Sequence, residues 1–87
     1  MERFEIIKKV NEIFKDVLDN ENLVLNDNTT ANDIEEWDSL SHIQLVVAIE
    51  KSFKIKFTSS EILSWENVGE MINSILERIN KEDNTKQ

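Results

Sequence analysis

The chain's 87 residues include no proline and a single glycine. Proline and glycine are the residues that most strongly disrupt helices, so little in this sequence would interrupt long helical segments. The length fits one small domain, which buries roughly 60–65% of the surface of its unfolded chain. We therefore expect a single all-helical domain of modest stability over residues 1–80. The polar residues 81–87 are expected to form a disordered tail.

Composition excludes several kinds of site. The chain has no cysteine, so disulfides, thiolate metal sites and thiol chemistry on its own side chains are ruled out. Its single histidine, His42, cannot form a multi-histidine cluster, and we expect no metal site. No segment is apolar enough to cross a membrane or to act as a secretory signal. Because no presequence follows Met1, we expect a cytoplasmic protein, and we expect it to be a monomer.

Negative charge is concentrated in one part of the chain. The net charge is −8, and residues 19–38 contain seven acids and no base. This charge argues against a nucleic acid as partner, because phosphates would be repelled. Two interpretations of the segment stay open. It is either a solvated loop that keeps the protein soluble, or the source of a field that steers basic partner surfaces.

Apolar periodicity predicts an amphipathic helix at each end of the domain. In both segments the apolar residues recur at steps of three and four, which gathers them on one helix face. The first stripe is Phe4, Ile7, Val10, Phe14, Val17 and Leu18, and the last is Val68, Met71, Ile72, Ile75, Leu76 and Ile79. From Asn80 onward the sequence is polar, and we expect the last helix to fray there.

A long loop is predicted after the first helix. Residues 19–37 lose apolar periodicity and are rich in Asn, Asp and Thr. A loop of this length invites disorder unless side chains anchor it, and we expect it to be pinned to the bundle by Leu23, Leu25 and Ile34. The second helix should then begin at Asp38 and extend to about Phe53.

Capping signals predict the last two helix starts. Thr58 and Glu61 form a T-x-x-E capping box, which predicts a short third helix near Ser59–Ser64. Asn67 and Glu70 give a similar start for the fourth helix. The domain is therefore expected to contain four helices, of which the third is short.

The second helix has apolar residues on two opposite sides. At 100° per residue, one stripe gathers Leu45, Val46, Ile49 and Phe53, and the other gathers Leu40, Ile43 and Val47. Such a helix is either wholly buried or has a second partner. A bundle of this size can hardly surround it, so we expect the first stripe to be core. The second, which we call the docking stripe, is expected to be exposed; its burial under the other helices is the alternative.

One serine follows the acidic loop directly, within the run Glu36-Trp37-Asp38-Ser39-Leu40-Ser41-His42-Ile43. Asp38 can cap the helix that begins there, which puts the serine in the first turn. The Asp-Ser-Leu core resembles the site at which acyl carrier proteins receive a 4′-phosphopantetheine arm. The resemblance to this family extends over roughly residues 3–80.

The resemblance implies a fold, a cofactor and roles for particular residues. The family fold is a four-helix bundle with a long first loop and a short third helix. By the motif match, Ser39 is the attachment residue, Asp38 caps the helix and assists transfer, and Leu40 contacts the phosphopantetheinyl transferase. That transferase is Mg²⁺-dependent and takes the arm from coenzyme A. The implied protein is not an enzyme but a carrier of acyl or aminoacyl thioesters, which it delivers to partner enzymes.

Some positions depart from the family pattern. Typical fatty-acid carriers have acids in the first turns after the serine, where this chain has Ser41 and Gln44. Trp37 replaces a small residue, and Lys54 stands where a glycine often follows the phenylalanine. The sequence therefore looks more like free-standing carriers of specialised pathways, such as polyketide-type, peptidyl or envelope-modifying systems.

Two other functions are weighed against the carrier. One is an unmodified helical adaptor that binds a partner through the docking stripe. The other is a small serine hydrolase, for which His42 would need an orienting group and the sequence indicates no oxyanion hole. We expect His42 to pack at the upper end of the core, with a contact to the arm or a partner as the alternative. Trp37 and Trp65 are expected to anchor the core or a loop.

Overall fold

The computed structural model describes the backbone of residues 2–85 and the side chains of residues 2–80. Four helices follow one another: α1 (Arg3–Leu18), α2 (Ser39–Phe53), α3 (Ser59–Ser64) and α4 (Val68–Thr85), with a 3₁₀ turn at Ala31–Asp33. Within this described part there is no strand. The predicted all-α bundle with a long first loop and a short third helix is confirmed. No helix in the same part is long and apolar enough to span a membrane.

α1 and α2 lie antiparallel at the centre of the fold. The ring of Phe14, late in α1, contacts Trp37 just before α2, whereas Lys9, earlier in α1, lies over the ring of Phe53 at the end of α2. The α2 stripe predicted to be core is buried at Leu45, Val46 and Ile49, with Phe53 packed half-buried against it. α4 contributes Val68, Met71, Ile72 and Ile75, all fully buried.

The predicted stripe of α1 is wrong at its first residue. Phe4 is 68% exposed, and the core position of this turn belongs to Ile6, which is fully buried. At 100° per residue, Phe4 lies roughly 160° around the helix from Ile6. It therefore falls outside the arc occupied by Val10 and Phe14. The three-residue spacing from Phe4 to Ile7 concealed this, because such a step still moves the side chain by about 60° around the helix.

The long loop is fixed to the bundle, as predicted, by Leu23, Leu25 and Ile34, which are buried. The side-chain amide of Asn11 adds two hydrogen bonds to the loop backbone. Its Oδ1 accepts from the Leu25 N–H at 2.7 Å, and its Nδ2 donates to the Leu23 carbonyl at 3.2 Å. The buried apolar side chains and the hydrogen bonds from Asn11 to the loop backbone together explain how a loop of this length is held against the bundle.

The helix ends follow the predicted capping signals. Thr58 Oγ1 accepts from the Glu61 N–H, and Glu61 Oε1 accepts from the Thr58 N–H at 3.1 Å. The Glu61 carboxylate also contacts Arg78 of α4. The Thr58 N–H, followed by the Arg78 guanidinium, holds the pKa of Glu61 below its usual range. At the start of α4, Asn67 Oδ1 accepts from the Glu70 N–H at 2.9 Å.

The C-cap of α2 is Lys54, which adopts the left-handed conformation with φ 58° and closes the helix by donating its N–H to the Glu50 carbonyl. Glycine is the residue most favoured here because it has no Cβ. A lysine in this left-handed conformation therefore carries a small conformational penalty relative to glycine.

α4 continues to Thr85, beyond Asn80, where fraying is predicted. The disorder predicted for residues 81–87 stays a prediction. Their side chains, and residues 86–87 altogether, lie outside the described residues.

The chain's single glycine lies where the long loop meets α4. The Gly69 N–H donates to the Asp27 carbonyl at 2.9 Å, and the Val68 N–H donates to the Thr29 carbonyl at 2.9 Å. A Cβ on Gly69 would lie 2.9 Å from that same Asp27 oxygen. The close approach of two backbone segments therefore requires glycine here.

Replacing this glycine tests that account. In most helix positions Gly→Ala is stabilising. Here we expect Gly69→Ala to lower the free energy of unfolding by about 1–3 kcal/mol, because the methyl group overpacks against backbone. Urea denaturation gives the value, with the exposed Gln44→Ala in α2 as a control expected to change stability by less than about 0.5 kcal/mol. A more stable Gly69→Ala protein would contradict the close contact.

Candidate functional site

Ser39 is the first residue of α2 and is exposed. Asp38 is the N-cap, as predicted: its Oδ1 accepts from the Ser41 N–H at 2.9 Å, and the Ser41 Oγ accepts from the Asp38 N–H at 2.8 Å. This reciprocal pair is a capping box. The hydrogen bond from the Ser41 N–H is the main reason that the pKa of Asp38 lies below its usual range, so the cap is anionic at neutral pH.

Ser41 has a structural role that its position in the sequence did not reveal. It is buried, and its hydroxyl donates to the Glu36 carbonyl at 2.9 Å while accepting from Asp38. Position 41, compared above with the acidic positions of fatty-acid carriers, is therefore not a surface position in this chain. Of the two departures in the first turns of α2, only Gln44 lies on the surface.

The docking stripe is exposed, as predicted. Leu40 is 71% exposed, Ile43 53% and Val47 43%, so one apolar row continues along α2 from the turn that contains Ser39. Leu63 of α3 is also highly exposed. Exposed apolar side chains in a row beside one polar group are typical of a protein interaction site.

A groove of about 520 Å³ opens beside Ser39, between the start of α2 and the α3 region. Its walls include Trp37, His42 and Ile43 on one side and Ile62, Leu63 and Trp65 on the other, with Asp38 and Glu66 at its polar edges. Sequence reasoning singled out neither the groove nor Ile62, Leu63 and Glu66. α3 has only six residues, too few for a periodic pattern to show which of its side chains would turn toward Ser39.

His42 packs between two indole rings, in line with the packing role predicted for it. Its ring stacks on Trp37 with centroids 5.9 Å apart and meets Trp65 edge-on at 6.1 Å. The indole Nε1 of Trp37 donates to His42 Nδ1 at 3.1 Å. Because an indole nitrogen can only donate, Nδ1 is the acceptor and the neutral ring carries its hydrogen on Nε2. That nitrogen lies 3.3 Å from the Ile62 carbonyl, to which it donates.

This geometry does not make His42 the base of a serine hydrolase. Both nitrogens of His42 are engaged, one by Trp37 and one by Ile62, and neither is directed at Ser39. Among the described residues there is also no group of three potential ligands that could hold a metal ion.

The acids near Ser39 are exposed, but the predicted run of seven uncompensated charges needs one correction. Glu35, Glu36 and Asp38 lie on the surface directly before α2. Asp27, however, forms an ion pair with Arg3 at 3.3 Å, where the loop meets the starts of α1 and α4. The sequence did not reveal this ion pair, because Arg3 lies at the start of α1 and Asp27 lies in the loop that follows its end.

Comparisons with known proteins agree with this geometry. The family model described as a phosphopantetheine attachment site matches residues 8–75. An acyl carrier protein from Cyanidium caldarium is 36% identical over 81 residues, covering 92% of this chain and 93% of its own length. The solution structure of holo acyl carrier protein from Geobacter metallireducens is similar with a TM-score of 0.84 and 36% identity, covering 88% of each chain.

The match therefore extends over nearly the whole domain, in sequence and in fold alike. It agrees with a helix that starts at an exposed serine. The chain belongs to the acyl carrier protein family, whose members are phosphopantetheine-dependent carriers and not enzymes.

Proposed function

We propose that Ser39 bears the 4′-phosphopantetheine arm and that the protein carries acyl or aminoacyl groups to partner enzymes of a specialised biosynthetic pathway. The observation that carries this proposal is the position of Ser39. It is an exposed serine at the first position of a helix. The N-cap bond runs from the Ser41 N–H to Asp38, so it does not engage the Ser39 hydroxyl. The cofactor supplies the thiol on which cargo forms a thioester, a group that this chain lacks.

The residues around Ser39 fit a phosphodiester. The N-terminus of a helix offers backbone N–H groups and the positive end of the helix dipole, both of which favour an anion. The α2 helix has 15 residues, long enough for a full dipole. The groove beside Ser39 offers apolar walls along which an attached arm could lie.

The partner surface is proposed to be the docking stripe together with Asp38. Leu40, next to the attachment residue, would contact the phosphopantetheinyl transferase, and Ile43 and Val47 would extend the same apolar contact to loading and transferring enzymes. These side chains share one exposed row. We propose that the acids before α2 guide partners to this row and that apolar contact then holds them.

Low charge on α2 supports a specialised pathway over general fatty-acid synthesis. The first turn of α2 contains no acid. The single acid of the helix, Glu50, accepts from the Phe57 N–H at 2.9 Å and is thereby engaged in holding the chain that follows α2. Enzymes that recognise acidic carriers through lysine and arginine would find little to bind on this face.

Attachment is tested by intact mass after incubation with coenzyme A and a broad-specificity transferase. We expect the wild-type protein to gain one phosphopantetheine and Ser39→Ala to gain none, with the circular dichroism spectrum unchanged. Ser59→Ala is the matched control, since Ser59 is likewise exposed at the first position of a capped helix but lacks the motif.

Two further outcomes separate the alternatives. Asp38→Ala should weaken the start of α2 and slow modification, because the cap is lost. A wild-type protein that gains no mass would favour the unmodified adaptor, and a Ser39→Ala protein that still gains it would place the site elsewhere.

Charge steering is tested by association kinetics. We expect transferase association to slow as ionic strength rises, because exposed acids precede Ser39. Glu35→Gln with Glu36→Gln should lower the association rate constant on the order of a few-fold and change dissociation less. The control pair, Glu12→Gln with Glu70→Gln, removes the same charge outside the loop. Equal effects of the two pairs, or rates independent of salt, would leave only the solvated-loop interpretation.

The specialised pathway is tested with a ketosynthase of general fatty-acid synthesis. We expect it to use the acyl-loaded wild-type protein poorly and Gln44→Glu better, mainly through faster association. Ser52→Glu, exposed near the far end of α2, is the control and should bring no gain. Efficient turnover of the wild-type protein would overturn the specialised pathway but not the carrier assignment.

A further inference from the structure

Five aromatic rings contact one another in a continuous row beneath the groove. Phe14 meets Trp37 at 5.0 Å, Trp37 stacks on His42 at 5.9 Å, His42 meets Trp65 at 6.1 Å, and Trp65 meets Phe57 at 4.9 Å. We call these five residues the aromatic row. It extends from the fully buried Phe14 of α1, past the start of α2, to the segments on either side of α3.

Hydrogen bonds hold the row in place. The bonds from Trp37 to His42 and from His42 to the Ile62 carbonyl join the end of the long loop, α2 and α3. On the other side, Trp65 Nε1 donates to Ser74 Oγ of α4 at 2.8 Å. Each indole thus has its N–H satisfied by a partner on another element, which fixes the ring as well as the helix.

The row separates the groove from the core. Trp37, His42 and Trp65 line the groove, and Trp37 contacts the fully buried Phe14 on its other side. A flexible chain attached at Ser39 would have to pass these rings to reach the interior between α2 and α3. That passage would break the hydrogen bonds from Trp37 to His42 and from His42 to the Ile62 carbonyl and would separate the stacked Trp37 and His42 rings. Both changes are unfavourable, because these groups are partly buried.

Resting on the proposed function, we propose that the aromatic row closes the bundle to cargo and restricts this carrier to short acyl groups that stay in the surface groove. A long saturated chain on this protein stays in contact with solvent and is not sheltered between the helices. The row thereby determines which cargo the protein protects.

The proposal makes a thermodynamic statement that does not depend on any partner enzyme. Burying methylene groups is favourable, so a carrier that shelters its cargo becomes more stable as the chain lengthens. A closed bundle gains nothing from added methylenes.

The experiment compares acetyl-loaded and decanoyl-loaded protein, prepared from the matching coenzyme A thioesters. Intact mass confirms loading before any other measurement. For the wild-type protein we expect equal urea midpoints in the two forms. A higher midpoint for the decanoyl form would overturn the proposal. A protein that gains no mass at all overturns the proposed function itself, and the two failures are thereby distinct.

Two variants test whether the row is the barrier. Trp37→Ala removes the indole between Phe14 and His42, and His42→Ala removes the central ring of the row, which joins α2 to α3. The second variant is decisive if the first does not fold. In a folded variant we expect the decanoyl form to have a higher urea midpoint than the acetyl form. Val17→Ala, half-buried on α1 and outside the groove, is the control and should behave like wild type. Folded row variants with equal midpoints would overturn the role of the row.

Discussion

The reciprocal hydrogen bonds between Asp38 and Ser41 set the start of α2, and the rest of the site depends on where that helix starts. With the cap at Asp38, Ser39 is turned outward, Leu40 begins the exposed docking stripe and Ser41 points inward to the Glu36 carbonyl. A helix that began one residue later would rotate each of these side chains by about 100°. The same cap thus positions the serine, the docking stripe and the buried link to the long loop.

Most of the fold could be predicted from the sequence, because the signals that specify it are local. Capping residues stand within three positions of one another at Asp38, Thr58 and Asn67, and each marks a real helix start. The two apolar stripes of α2 could also be predicted, since the helix period alone separates them, whatever elements pack against the helix. Even the anchoring of the long loop followed from three apolar residues in a polar segment.

The remaining features depend on contacts that no local pattern contains. Arg3 pairs with Asp27 across the fold, and His42 receives a hydrogen bond from Trp37, which precedes its helix. The groove requires α3 to lie against α2, a matter of tertiary packing. The burial of Ser41 could not be predicted for a related reason, since a short polar residue in the first turn of a helix is compatible with either an exposed position or a buried capping bond.

The left-handed Lys54 at the end of α2 has a consequence for the molecule as a whole. It adds a cation near Lys51 and Lys56, and Lys9 lies over the Phe53 ring beside them, whereas the exposed Glu35 and Glu36 stand at the opposite end of the helix. The two ends are about 22 Å apart at 1.5 Å per residue. Because charge is separated along α2, the field of an approaching basic partner would favour orientations with the Ser39 end toward that partner before the surfaces touch.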